Sequence, residues 1–297
     1  MPPEGGVLFV HAHPDDECVA TGGTIARLVA EGIPVDLLTC TDGAEGEIHD
    51  PTLDPEEARP RLAAIRATEL ACSLDALGSG AIRHHLLGYR DSGMMGTDAN
   101  AHPESFWQSD LADATERLVE IVRGARPAAI VTYDENGNYG HPDHINAARI
   151  ARDAYAALAG GPNAVSRFYE IAFARETWTG LMEEMRSRGI NFPWGPPDEA
   201  EGAASGEASE AASGPDDAET DEFGRPDAEI TTRIDVSAHL DRKRRSMDCH
   251  RTQRQDLGWL LELPADLADR AMSTEYYVLR WLNGKDVAAS HRESSVL

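Results

Sequence analysis

Two short apolar runs, residues 7–10 (VLFV) and 128–133 (AAIVTY), each lead through a polar loop containing His-Pro-Asp into a segment of helical composition. The first loop is His11-Ala12-His13-Pro14-Asp15-Asp16-Glu17, followed by Gly22-Gly23 and the periodic apolar positions Ile25, Leu28, Val29 and Ile33. The second closes on Gly140-His141-Pro142-Asp143-His144 before a helix at 145–158. A buried strand, a tight polar loop and a helix make the corner at which α/β proteins place their sites. Pro14 suits a first helical turn, which would set His13 and Asp16 on one side of it and send Asp15 elsewhere.

The rest of the chain fits that frame. Residues 35–40 (VDLLTC), 82–87, 165–173, 230–236 and Tyr276-Tyr277-Val278-Leu279 read as further strands. Residues 55–77 carry Leu62, Ile65, Leu70 and Leu74 without an internal glycine, and 111–124 carry Leu111, Ala114, Leu118, Ile121 and Val122; both read as helices. Alternating elements of this kind predict an α/β fold: a Rossmann-like, mostly parallel sheet flanked by helices, with a smaller C-terminal α+β portion. Residues 1–190 form the expected catalytic core. Residues 229–297 complete the same domain, ending in a frayed tail. Between them, 196–227 hold 11 acids, one base (Arg225) and one aromatic (Phe223). Such a stretch buries too little apolar area to offset ordering, so 191–228 is expected to be a disordered acidic insert.

A net charge of −25 argues against nucleic-acid or anionic-membrane partners, which need a basic footprint. Cys18, Cys40, Cys72 and Cys249 form no C-x-x-C pair, and no signal peptide or membrane span is visible. These features point to a reduced, cytoplasmic protein. Arg242-Lys243-Arg244-Arg245 reads as a solvated helix face. One of His84 and His85 should face the core and the other a helix. Trp178, Trp194, Trp259 and Trp281 are too dispersed to make a stacking platform.

In a parallel sheet both His-Pro-Asp loops reach the carboxyl edge, bringing four histidines and three aspartates together. Two imidazoles and one carboxylate (His13, Asp16, His144) suit catalytic Zn²⁺. The same set is also the facial triad of non-haem Fe(II) oxygenases. Asp15 and His141 flank the donors and supply a base and an acid, which hydrolysis needs and oxygen activation does not. A metal-binding protein without catalysis is a third reading.

These corners resemble the LmbE-like (PIG-L) zinc de-N-acetylases over about residues 7–158, and again more weakly at His250-Arg251-Thr252-Gln253. Two branches are similar, the N-acetylglucosaminyl-inositol deacetylases and the mycothiol S-conjugate amidases. Arg90-Asp91-Ser92-Gly93-Met94 is nearer the deacetylases, and Ala20 stands where the amidases tend to carry lysine. The resemblance implies one Zn²⁺ per chain, with Fe²⁺ an alternative, held by His13, Asp16 and His144. It implies Asp15 as base to the attacking water. It gives His141 as donor to the leaving amine or the oxyanion, Tyr139 as a further oxyanion donor and Asp143 as an orienting group. Glu47, Arg66 and Asp91 match positions that bind the polyol, although Arg66 reads equally well as a surface residue. The expected substrate is a small amino-sugar conjugate, and a homo-oligomer is compatible with the sequence.

Overall fold

The computed structural model describes residues 5–190 and 224–297, the side chain of Asp256 excepted. Most of the expected insert therefore lies outside the described residues. Strand β1 (Val7–His11) is buried along its whole length. That suits an uninterrupted apolar run, since a strand covered on both faces has no polar side to alternate with. The chain turns through a short helix α1 (Asp16–Val19) into α2 (Gly22–Ala30), and β2 (Val35–Thr41) pairs parallel to β1. The helix expected at 55–77 is broken. Pro60 lacks an N–H, so α3 (Pro55–Ala58), capped by the Asp54 carboxylate, passes through a tight turn before α4 (Leu62–Gly78) begins. Strand β3 (Ile82–Tyr89) lies parallel to β2, and α5 (Leu111–Ala125) returns the chain to β4 (Ala129–Thr132) on the other flank of β1. A kinked turn α6 (Gly137–Gly140), α7 (Pro142–Leu158) and β5 (Arg167–Ala172) follow.

After α8 (Arg175–Ser187) the described chain resumes with β6 (Thr232–Asp235), α9 (Leu240–Cys249), α10 (Arg254–Glu262), α11 (Ala265–Met272), β7 (Thr274–Leu282) and β8 (Lys285–Asp286). The strand order is β3-β2-β1-β4-β5-β7-β6, with β8 on β7. The first five strands are parallel, and β7 runs antiparallel to β5 and to β6. The Rossmann-like expectation is met, and the C-terminal elements extend the same sheet. Strand order reverses between β1 and β4, the neighbours that carry the two His-Pro-Asp loops. Crevices for ligands open at the carboxyl ends of strands at such a reversal.

Several expectations are corrected. Helix α1 starts at Asp16, not at Pro14, because carboxylates of the loop cap the peptide N–H groups before it: Asp16 Oδ2 accepts from His13 N at 2.7 Å, and Glu17 Oε2 from Asp15 N at 3.0 Å. Strand β3 is an edge, so neither His84 nor His85 enters the core. They bond instead to Thr39 Oγ1 (3.0 Å) and Asp36 Oδ1 (2.8 Å) on β2. Cys72 and Cys249 form a disulfide, since α4 and α9 pack together and bring their Cα atoms to 5.7 Å; Cys18 and Cys40 are free and buried. Lys243 leaves the solvated face of α9 and is buried against Glu275 at 2.7 Å. Trp178 meets Trp259 edge-on in a small apolar cluster, and Trp281 stacks on Tyr155. Trp194 lies outside the described residues. The tail is docked, not frayed: Val296 is buried, and Glu293 binds Arg167 and Tyr169.

Candidate active site

The loops after β1 and β4 bring two imidazole nitrogens and the two oxygens of the Asp16 carboxylate together. His13 Nδ1 lies 3.2 Å from His144 Nε2, His144 Nε2 is 3.3 Å from Asp16 Oδ1, and His13 Nδ1 is 3.5 Å from Asp16 Oδ2. Ligands held tetrahedrally at about 2.0–2.1 Å from a cation stand roughly 3.3–3.4 Å apart, so the spacings of His144 Nε2 from His13 Nδ1 and from Asp16 Oδ1 fit a small divalent metal. His141 joins His13 and His144 in one buried cluster, its ring centroid 4.5 Å from that of His13.

Each donor is steadied from behind. His13 Nε2 is 3.2 Å from Asp143 Oδ2, and Asp143 in turn accepts from Ser92 N (2.9 Å) and the Ser92 hydroxyl. Asp143 thus orients a ligand imidazole through its side chain. Through its backbone it reaches His141, its N–H donating to His141 Nδ1 at 3.1 Å at the start of α7. Tyr133 donates to Asp16 Oδ2 at 2.7 Å, accepts from Ala12 N at 2.9 Å and stacks on His144 with centroids 4.1 Å apart. Gly137 keeps the second loop close. At φ +64°, its missing Cβ would fall 2.7 Å from His144 Cβ.

The electrostatics follow from this packing. Burial pushes the Asp15 carboxyl up to about 6, and the Arg66 guanidinium opposes the rise. Burial acts the same way on Asp16, but the His144 and His13 imidazoles outweigh it and hold that carboxyl well below the usual range. Burial, with the neighbouring His13 and His144, holds His141 below the usual imidazole value.

The remaining expected residues separate into two groups. Arg66 is not on the surface: it is buried, and donates to Asp15 Oδ2 (2.8 Å), Pro14 O (2.7 Å) and Gly43 O (2.7 Å). Asp91 lies 3.7 Å from His13 Nε2 and ties the loops together by accepting from Gly93 N and Glu45 N. Glu47 and Tyr139 are on the rim. The Glu47 side chain is half exposed beside His49, and the Tyr139 ring, 56% exposed, lies 4.9 Å from that of His144.

Residues 8–155 match a family model described as PIG-L: GlcNAc-PI de-N-acetylase. The chain is also 41% identical over 279 residues to the 1D-myo-inositol 2-acetamido-2-deoxy-alpha-D-glucopyranoside deacetylase of Acidothermus cellulolyticus, covering 92% of this chain and 88% of that one. It belongs to the PIG-L de-N-acetylase family. A second relative of the same name, from Geodermatophilus obscurus, is 42% identical over 94% of this chain and 93% of its own.

Among solved structures, the N,N'-diacetylchitobiose deacetylase of Pyrococcus horikoshii superposes with a TM-score of 0.54 at 18% identity, covering 93% of this chain and 83% of that one. A 4-carboxy-2-hydroxymuconate hydratase of Pseudomonas putida reaches 0.56 at 15% identity, covering 96% and 99%. At these identities the two structures share the fold alone with this chain, and activity has to be argued from the site. The sequence reading passed over Tyr133 and Ser92. Tyr133 ends an apolar run directly before a ligand loop, a signal that could have singled it out. Ser92 offered none beyond the Arg-Asp-Ser-Gly run.

Proposed function

We propose that this protein is a metal-dependent amidohydrolase that removes the acetyl group from N-acetylglucosaminyl-inositol, with zinc held by His13, Asp16 and His144. The observation that carries the reading is the convergence of those three donors with Asp15 and His141 beside them, in a chain about 40% identical over its length to deacetylases named for that substrate. When bound, the cation polarises the acetamide carbonyl and makes hydroxide available near neutral pH.

Asp15 takes the proton of the attacking water. Arg66 aims its carboxylate, and the guanidinium favours its ionised form. His141 acts as a neutral donor. Its Nδ1 accepts the Asp143 N–H, so its proton sits on Nε2, and an imidazolium would set two donors against each other at a helix N-terminus, where a cation is disfavoured. From Nε2 it steadies the oxyanion. Asp15 then returns its proton to the departing glucosamine nitrogen, leaving acetate and the free amine. Tyr139 adds a rim hydrogen bond to the oxyanion; losing one such donor typically costs about 10²–10³ in rate. Glu47 and Asp91 are assigned to the polyol from the family resemblance, while Arg66 serves it through Asp15 and the Gly43 loop.

The test is release of amine from N-acetylglucosaminyl-inositol by the zinc-loaded protein. Activity should vanish on chelation and return with Zn²⁺. Loaded protein that releases no amine from this substrate would overturn the reading.

A further inference from the structure

Asp15 is strained: it is not glycine, yet its φ is 137°. Two buried charged groups hold it there. Arg66 binds its carboxylate and the preceding carbonyl, and Glu17 Oε2 accepts its peptide N–H at 3.0 Å. Glu17 is itself held from the far end of the chain. Its Oε1 accepts from His250 Nε2 at 2.7 Å and from the Ser73 hydroxyl. His250 is fully buried, and among the described residues its Nδ1 has no hydrogen-bond partner and the ring's one hydrogen bond is to Glu17.

We propose that the buried Glu17–His250 pair is a positioning device for Asp15: His250 fixes the Glu17 carboxylate, which holds the Asp15 backbone in its strained conformation and so places the base against the attacking water. Among the described residues His250 hydrogen-bonds to Glu17 and to none of the metal donors. The donors are steadied separately, His13 by Asp143 and Asp16 by Tyr133. Loss of His250 leaves a buried carboxylate short of one donor. Glu17 then shifts, the Asp15 N–H loses its acceptor and the strained backbone relaxes. Proton abstraction demands placement within a fraction of an ångström, so kcat falls, whereas metal retention and KM draw on other residues.

This inference rests on the deacetylase reading for its kinetic arm only. On zinc-loaded enzyme, His250→Ala is expected to lower kcat at least tenfold, with KM within twofold and zinc stoichiometry unchanged. His250→Gln, whose amide nitrogen can donate to the same oxygen, is expected to recover most of kcat. A His250→Ala kcat within twofold of the parent, equal impairment in His250→Gln, or a loss shared with KM and zinc would overturn the proposal. Should His250→Ala not fold, Glu17→Asp decides: its shorter carboxylate cannot span Asp15 N and His250, so kcat should fall tenfold, and an unchanged kcat refutes the idea. A crystal structure of the folded variant gives an answer without turnover, and so distinguishes failure of the clamp from failure of the deacetylase reading. Asp15 φ should leave the positive region, and a value still near 137° would overturn the clamp whatever the substrate proves to be.

Discussion

Asp15 and His141 sit beside the same three donors, but their hydrogen bonds constrain their protons differently. Arg66 presents the Asp15 carboxylate, whereas the Asp143 N–H occupies His141 Nδ1. Asp15→Asn is therefore expected to keep zinc and to lose about 10²–10⁴ in kcat, the usual worth of a general base. His141→Ala should also keep zinc, and its loss should be the same for good and poor leaving amines. Selective rescue of His141→Ala by a better leaving amine would make His141 the acid to the amine instead of the oxyanion donor.

Tyr133→Phe removes the hydrogen bond to Asp16 and keeps the stacking on His144. Zinc affinity should weaken about 10–100-fold, as measured by chelator competition, because such outer partners fix ligand orientation. An unchanged affinity would reduce Tyr133 to packing. The donors themselves were legible in the sequence, because the doubled His-Pro-Asp loops carry unusual residues at short spacing. Tyr133 and Ser92 were not, because their partners lie 117 and 51 residues away: Tyr133 meets Asp16 only once β1 and β4 are adjacent, and Ser92, after β3, meets Asp143 only once β3, β2, β1 and β4 lie side by side.

At the scale of elements, runs rich in apolar residues announced β1 to β7, and their alternation with helices announced a mostly parallel sheet, but the reversal between β1 and β4 was not legible, because alternation leaves open which strands are neighbours. The other failures came where one position differs from its neighbours. Pro60 breaks a helix whose apolar spacing is otherwise continuous. Lys243 lies in a run of four basic residues, yet α9 turns that one inward against Glu275. Glu275 also accepts from Gly23 N (2.8 Å) and Thr24 N (2.7 Å), so the pair seals the start of α2 beneath α9. Lys243→Ala would strand a buried carboxylate and should cost about 3–5 kcal/mol in urea unfolding. Arg245→Ala on the exposed face should stay within about 0.5 kcal/mol. Equal small effects for both would mean that Lys243 can reach water and that the solvated-face reading holds for the whole run.

Across the whole molecule, the last residues are tied back to the sheet, a feature their sequence does not announce because the partners are spread over the chain. Glu293 receives Arg167 Nη1 at 2.7 Å and the Tyr169 hydroxyl at 2.7 Å, both from β5, and faces His291 Nε2 at 2.9 Å from its own segment. Its backbone N–H donates to Thr231 O at 2.8 Å, which closes the β6 edge. Burial alone would raise the Glu293 carboxyl, but His291, Tyr169 and Arg167 outweigh it and hold the group below its ordinary value. A carboxylate whose folded pKa lies below its unfolded one stabilises the fold fully above the unfolded value, about 4.3, and loses that contribution as pH falls through the folded value. Glu293→Gln should therefore be less stable than the parent at pH 7. The difference between their urea midpoints should begin to shrink near pH 4 and close as acid protonates the parent's carboxylate. Groups that titrate alike in both proteins cancel in this difference. A gap that persists undiminished to pH 3 would mean that the glutamate holds the tail by shape and neutral hydrogen bonds, with its charge contributing nothing.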